Sequence, residues 1–397
     1  MTREEIRESI LRLDTNCILA ELPTSMGKTK VALDFMSEKQ IKGKILIVIP
    51  RLVLIDNWKD EFKKWNYESF LSQTVFTTYV SLPKHVNENY DLVIFDECHH
   101  LSDRAREAVE DINSNYFLLL SATVTKTLKK EIKMLFPHIS CYKISMREAI
   151  EEDILPDPKV FLVPLELNNK DITETLIINP KAKKDGGSIP FSQRFAAKRN
   201  KTIRYTVKCT QTQYHDELCS MIDFYKRQYF KTNNQIVYFR WQQKARERLL
   251  WLSGLKNDVV LDILNKLADK RTLTFCNSIE QTKALGEYCI NSQNDKAEEY
   301  LKAFNNGEIN HITACQMLNE GVNLVDCQIG IFVSINSSEI MVKQKNGRIL
   351  RHSKPIIIIV YYKNTREEEL VNEMISNYNQ ELVTVVKNSN CNEIYNR

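Results

Sequence analysis

The stretch Leu22-Pro23-Thr24-Ser25-Met26-Gly27-Lys28-Thr29 constrains the fold more than any other part of the chain. An apolar run, Cys17-Ile18-Leu19-Ala20, leads into it, and a helix-like run from Val31 to Met36 leaves it. A strand, a tight loop and a helix opening on Gly-Lys-Thr form a phosphate-binding arrangement. Backbone N–H groups from Thr24 through Gly27 and the positive end of the helix dipole face the anion. Lys28 reaches the outer phosphates, the Thr29 hydroxyl is placed for Mg²⁺, and Gly27 keeps the backbone close. A chance Gly-Lys-Thr in a turn is the competing reading, and the flanking strand and helix count against it.

The first half continues as alternating strands and helices. Buried strands are expected at 44–49, 90–95 and 116–120, with a weaker one at 74–79 and helices at 52–65, 104–112 and 125–135. Such alternation predicts a parallel sheet covered on both faces, with ligands beyond the carboxyl ends of its strands. The strand at 90–95 runs directly into Asp96-Glu97-Cys98-His99-His100. Asp96 suits Mg²⁺, and Glu97 suits the orientation and deprotonation of an attacking water. Cys98, His99 and His100 lack the spacing of a zinc site.

Whole-chain charge does not announce a nucleic-acid binder, since the net charge of the 397 residues is only +4. A local basic groove remains open. Residues 168–210 carry Lys181, Lys183, Lys184, Arg194, Lys198, Arg199, Lys201, Arg204 and Lys208 among Phe191, Phe195 and Tyr205. That pattern suits backbone tracking with base stacking, and equally a solvated insertion. Residues 211–265 read as helical, and their aromatics read as packing. The ten cysteines form no CxxC pair, which favours reduced thiols and a cytoplasmic setting. The charged N-terminus reads as no signal peptide, and the apolar run 356–362 is too short to span a bilayer and reads as a buried strand.

The order of motifs resembles superfamily 2 helicases of the DExH type, particularly restriction-enzyme- and phage-type motors. Thr24 to Thr29 is similar to motif I, Ile49-Pro50-Arg51 to motif Ia, Thr77-Thr78-Tyr79 to the strand-contacting motif, Asp96 to His99 to motif II, and Ser121-Ala122-Thr123 to motif III. In the second half, strand 271–276 with Asn277 and Ser278 resembles motif IV, and Glu320-Gly321-Val322-Asn323 resembles motif V. Gln344-Lys345-Asn346-Gly347-Arg348-Ile349-Leu350-Arg351 resembles motif VI.

The resemblance implies an α/β fold of two tandem RecA-like domains with a basic and helical insertion. The expected divisions are 1–155, carrying motifs I to III; 156–265, a linker strand plus insertion; and 266–397, carrying motifs IV to VI. The cofactors implied are ATP and Mg²⁺, with Gly321 joining the loop residues around the nucleotide and Thr29 and Asp96 on the metal. Lys28, Asp96, Glu97, Gln344, Arg348 and Arg351 form the implied catalytic set. His99, Ser121 and Thr123 couple nucleotide state to strand grip. Pro50, Arg51, Thr78, Asn277 and Ser278 lie on the nucleic-acid side, joined by Lys198, Arg199 and Lys201 if the basic insertion binds. The implied partner is nucleic acid, DNA rather than RNA, gripped by a monomeric core with no membrane attachment. A partner protein for targeting is compatible with this, as is the cytoplasm of a host if the chain is phage-encoded. An ATP-gated clamp that grips without moving is the alternative, and a small-molecule phosphotransferase fits less well.

Two departures from the family pattern carry expectations of their own. Ser25 stands where motif I usually has Gly, and must keep a negative φ or accept strain. Ile6 stands where many relatives carry an adenine-reading Gln. Weak discrimination between ATP and GTP is therefore expected, with Arg3 and Arg7 left either to stack on the base or to remain exposed helix charges.

Overall fold

Continuous apolar runs become fully covered strands. Helix α1 (Arg3–Leu11) precedes β1 (Cys17–Glu21), which is followed by α2 (Lys28–Glu38) and β2 (Ile45–Ile49). Both strands are buried at every position, as a parallel strand with helices on both faces must be. The order continues α3 (Leu54–Lys64), β3 (Thr74–Thr78), β4 (Asn89–Asp96), α4 (Asp103–Glu110), β5 (Asn113–Ser121), α5 (Lys126–Leu135), β6 (Ser140–Lys143) and α6 (Met146–Glu151). This computed structural model describes residues 1–178, 205–315, 327–333, 335, 349, 352–386 and 394.

The first six strands form one parallel sheet in the order β3-β2-β4-β5-β1-β6. Its register pairs Glu21 with Ser121 and Asp96 with Leu120. The carboxyl ends of β1, β5 and β4 therefore stop at one level, side by side. Leu22 N–H donates to the Ser121 carbonyl at 2.9 Å, extending that alignment into the loop. Helix α1 closes this half through a capping box, in which Thr2 Oγ1 accepts from Glu5 N–H and Glu5 Oε2 from Thr2 N–H.

The next strand, β7 (Lys159–Leu165), is not part of a linker. It lies inside the second parallel sheet, pairing Val160 with Ile357 on one side and Val383 on the other. Its Val-Phe-Leu-Val run is buried on both faces, which only an interior strand satisfies. Between β7 and the rest of that sheet come an antiparallel ribbon, β8 (Glu174–Ile178) with β9 (Tyr205–Cys209), and two long helices, α7 (Gln211–Thr232) and α8 (Gln235–Gly254).

Helix α9 (Asn257–Lys266) returns to the sheet, placing Val260 and Ile263 against Phe161 and Ile358. Then follow β10 (Thr272–Phe275), α10 (Ile279–Leu285), β11 (Cys289–Ile290), α11 (Ala297–Asn305), β12 (His311–Ala314), β13 (Ile329–Phe332), β14 (Ile356–Tyr362), α12 (Arg366–Ile375) and β15 (Val383–Val385). The order across this sheet is β11-β12-β10-β13-β14-β7-β15. Gly330 in β13 makes room for the buried Ile349, since a Cβ there would lie 2.6 Å from the isoleucine Cγ1. No helix among the described residues is long and apolar enough to cross a membrane.

One buried ion pair ties the insertion to the second sheet. Lys256, fully buried at the start of α9, donates from Nζ to Glu367 Oε1 and Oε2 at 2.6 and 2.7 Å and to the Val333 carbonyl at 2.7 Å. Glu367 Oε2 also accepts Tyr362 N–H at 3.1 Å. Removing one partner strands the other charge in the core. Glu367→Gln is expected to lose about 3–5 kcal/mol of stability, while Lys256→Met combined with Glu367→Leu loses less than either single change. Urea unfolding midpoints check this, and additive losses in the double variant would contradict it.

Candidate active site

The phosphate loop turns through left-handed backbone at Ser25 and Gly27. Gly27 has φ +81° and ψ +38° and serves as the N-cap of α2 without a side-chain cap. The first-turn N–H groups of α2 thus receive no capping oxygen from that side chain. A Cβ at 27 would meet only Lys30 Cβ, at 3.9 Å, so the glycine supplies its φ rather than space within the chain. Ser25 takes φ +73°, the strained branch of the two expected for it. Non-glycine residues there cost of order 1–3 kcal/mol and persist where the surroundings enforce them. The Thr24 hydroxyl is buried with no hydrogen-bond partner among the described residues.

The acidic pair meets this loop directly. Lys28 Nζ lies 2.5 Å from Glu97 Oε1, both side chains being largely buried. Glu97 itself sits in a left-handed conformation, φ +52°, which turns its carboxyl towards the loop while Asp96 still belongs to β4. Asp96 Oδ2 accepts from Trp58 Nε1–H at 3.0 Å, and its carbonyl accepts from the Tyr79 hydroxyl at 2.7 Å.

Burial, with the Glu97 charge second, pushes the Asp96 carboxyl up to about 6. Burial also acts upward on Glu97, but Lys28 and then His99 outweigh it and hold that carboxyl well below its usual range. The pair is therefore split into a firmly ionised Glu97 and an Asp96 short of positive charge. Burial raises the Cys98 thiol, which packs in the core beneath them.

A hydrogen-bond chain continues from Glu97 to the end of β5. His99 Nδ1 lies 3.0 Å from Ser121 Oγ and 3.3 Å from Glu97 Oε2. Ser121 Oγ lies 2.9 Å from the Thr123 carbonyl and 3.3 Å from Thr123 N. Serine has one proton to give, and the Thr123 carbonyl is its nearest acceptor. With Ser121 donating to Thr123, a proton on His99 Nδ1 satisfies the contacts to Ser121 and Glu97. The Thr123 hydroxyl is a second buried oxygen without a partner among the described residues.

The other expected positions fall into separate groups. Pro50 and Arg51 follow β2, and Thr78 ends the adjacent β3, with Ile49 and Thr78 in register. They share the sheet's carboxyl edge with the exposed side chains of Leu52, Val53 and Val80. Asn277 and Ser278 follow β10 in the second sheet, where Ser278 Oγ caps α10 and Asn277 N–H donates to Gln281 Oε1 at 3.1 Å. Arg7 is half-buried and paired with Asp34 at 2.6 Å, whereas Arg3 is exposed and donates to the Ile154 carbonyl at 3.3 Å. Gly321, Gln344, Arg348, Arg351, Lys198, Arg199 and Lys201 lie outside the described residues. Sequence spacing missed Trp58 and Tyr79, because an amphipathic helix pattern and a strand end do not reveal that two core-facing aromatics also reach Asp96.

Comparison with known proteins matches both halves in order. Residues 3–126 match the family model for the type III restriction enzyme res subunit, and residues 255–353 match the helicase conserved C-terminal domain. The chain is 25% identical over 379 residues to the DNA 3'-5' translocase XPB2 of Sulfurisphaera tokodaii, covering 88% of this chain and 78% of that one. Among solved structures, the helicase domain of Pyrococcus furiosus Hef shares the fold at 16% identity and TM-score 0.52, over 94% of this chain and 97% of that one. Dbp5 of S. cerevisiae, solved with RNA and ADP BeF3, does so at 10% identity and TM-score 0.61, over 98% and 91%. With a phosphate loop and acidic pair on one parallel sheet, a second parallel sheet later in the chain, and helicase models matching each half in sequence order, the chain belongs to the superfamily 2 helicases, which are ATP-hydrolysing enzymes.

Proposed function

We propose that the chain is an ATP-dependent DNA helicase or translocase that hydrolyses ATP in the cleft between its two halves. The Lys28–Glu97 contact carries this reading, because it joins the phosphate-loop cation to the residue best placed to act on water. Three features suit magnesium-bound ATP: the uncapped start of α2, the orphaned Thr24 hydroxyl, and an Asp96 carboxyl that burial leaves short of positive charge. The amides of residues 24–29 and Lys28 would hold the phosphates, and Thr29 and Asp96 the metal. Bound Mg-ATP supplies the phosphoanhydride bond whose cleavage powers the motor.

The chain's own residues do the rest. Lys28 exchanges Glu97 for phosphate oxygens, which frees the carboxylate. Glu97, ionised at neutral pH, orients a water and takes its proton. The His99–Ser121–Thr123 chain follows that change of partner and passes it to the end of β5. Gln344, Arg348 and Arg351, with Gly321, complete the site from the second half, the guanidinium groups stabilising charge as it develops. Pro50, Arg51, Thr78, Asn277 and Ser278 face the strand, aided by Lys198, Arg199 and Lys201. The named substrate of the translocase relative makes DNA the partner and 3'-5' the direction to test first. The free thiols among the described residues suit a cytoplasmic setting.

Glu97→Gln is expected to keep ATP binding while phosphate release falls by about 10²–10⁴-fold, the range for loss of a general base; retention of most of the turnover would remove Glu97 from that role. Lys28→Ala should weaken nucleotide binding as well. A second test separates chemistry from coupling. His99→Ala and Ser121→Ala should each keep basal ATPase within a few-fold but lose most of the stimulation by single-stranded DNA. Stimulation at the wild-type ratio in both variants would show that the hydrogen-bond chain transmits nothing.

A further inference from the structure

The two longest helices end in a surface that the motor site does not use. Helices α7 and α8, 22 and 20 residues long, form an antiparallel hairpin reaching about 30 Å at 1.5 Å per residue. The turn is tight: Asn233 takes φ +47°, and the Asn234 side chain caps α8 by accepting Ile236 N–H at 2.8 Å. The base of the hairpin is anchored. Trp251 donates to Glu174 Oε2 at 3.1 Å and packs on Tyr214 at 4.8 Å between ring centroids, while Leu218, Ile222 and Leu252 are buried.

The tip has the opposite character. Tyr229, Tyr238 and Trp241 pack on one another with centroids 5.1–6.1 Å apart. Phe230 packs on Tyr229 and Trp241 yet is 71% exposed, and Ile236 and Phe239 on α8 are 65% and 68% exposed. The packing expected of these aromatics is thus half met: they pack among themselves and present apolar faces outward. Lys226, Arg227, Lys231 and Arg240 surround them, all exposed and without an ion pair among the described residues. Asp223 is the only acid between positions 223 and 241.

We propose that this tip is a stacking platform for the unpaired bases of a nucleic-acid strand, with Phe230 and Phe239 taking base faces and the four cations taking flanking phosphates. Flat rings interleaved with unpaired cations match both parts of a nucleotide chain. An apolar protein partner would use the rings and leave the cations idle, whereas an acidic one would use the cations and leave most of the ring area wet. The capped turn fixes the backbone that carries the two phenylalanines, which limits the backbone entropy lost on contact. The inference rests on the motor reading, because it gives the hairpin the same strand to hold.

The test uses full-length protein and a fluorescent single-stranded oligonucleotide, with affinity measured across a salt series. Phe230→Ala with Phe239→Ala should weaken binding by about tenfold or more, within the range for lost base stacking, and leave the slope of log affinity against log salt unchanged. Lys231→Ala with Arg240→Ala should weaken binding and make that slope shallower by about 0.7 per cation removed. The phenylalanine variant's helix content by circular dichroism should match wild type. Wild-type affinity in that variant overturns the platform, as does a loss confined to binding an acidic peptide. If ATPase stimulation persists in that case, the motor reading survives alone. If wild type neither binds nucleic acid nor is stimulated by it, both readings fall.

Discussion

The contact between Lys28 and Glu97 is the constraint on which the rest of the first half depends. A lysine and a carboxylate this deeply buried are costly to bring out of water, and their mutual attraction offsets that only in close geometry. The geometry is supplied by the sheet. Parallel register stops β1, β5 and β4 at one level, so the phosphate loop, Ser121 and Asp96 start from neighbouring strand ends. Two left-handed residues then do the local steering: Gly27 opens the helix behind Lys28, and Glu97 turns its carboxyl away from the strand axis. The strained Ser25 belongs to the same device, since it follows a glycine-like path without being a glycine. In the proposed function, the Lys28–Glu97 pair is the contact that phosphate oxygens would displace.

The second half is organised by burial in a different way. Its sheet is assembled from β7, which precedes the insertion, and from strands that follow it. The insertion is therefore a long excursion from one continuous sheet rather than a bead on a linker. Lys256 marks the point of return. It lies fully buried at the start of α9, against the ends of β13 and β14 and the first turn of α12. The hairpin of α7 and α8 is fixed at its base to the β8–β9 ribbon by Trp251 and Glu174 and to α10 by Ser253 and Gln281.

Much of this was legible in the sequence because it rests on continuous apolar runs and on short motifs with strict local geometry. The strands around positions 17–21, 45–49 and 90–96, and the placement of the segments after 21, 96 and 121 at neighbouring strand ends, follow from that pattern. Other features depend on partners distant in sequence. The Val160–Val163 run could be read as a strand, but not as the neighbour of residues near 357 and 383. Trp58 looked like an ordinary buried helix residue, yet its indole N–H reaches Asp96. The sign of φ at Ser25 is set by the loop as a whole, so the residue type left both branches open. At the hairpin tip, helical spacing predicts which residues share a face but not whether anything covers it.

The central claim is that strand binding and phosphate chemistry are coupled in one molecule. Steady-state phosphate release by the full chain, compared with no nucleic acid, single-stranded DNA, duplex DNA and RNA side by side, tests it most directly. The account predicts a low basal rate that rises about tenfold or more with DNA, the size of effect expected when a ligand shifts a closing equilibrium by about 1.4 kcal/mol. A rate unchanged by every nucleic acid would contradict it.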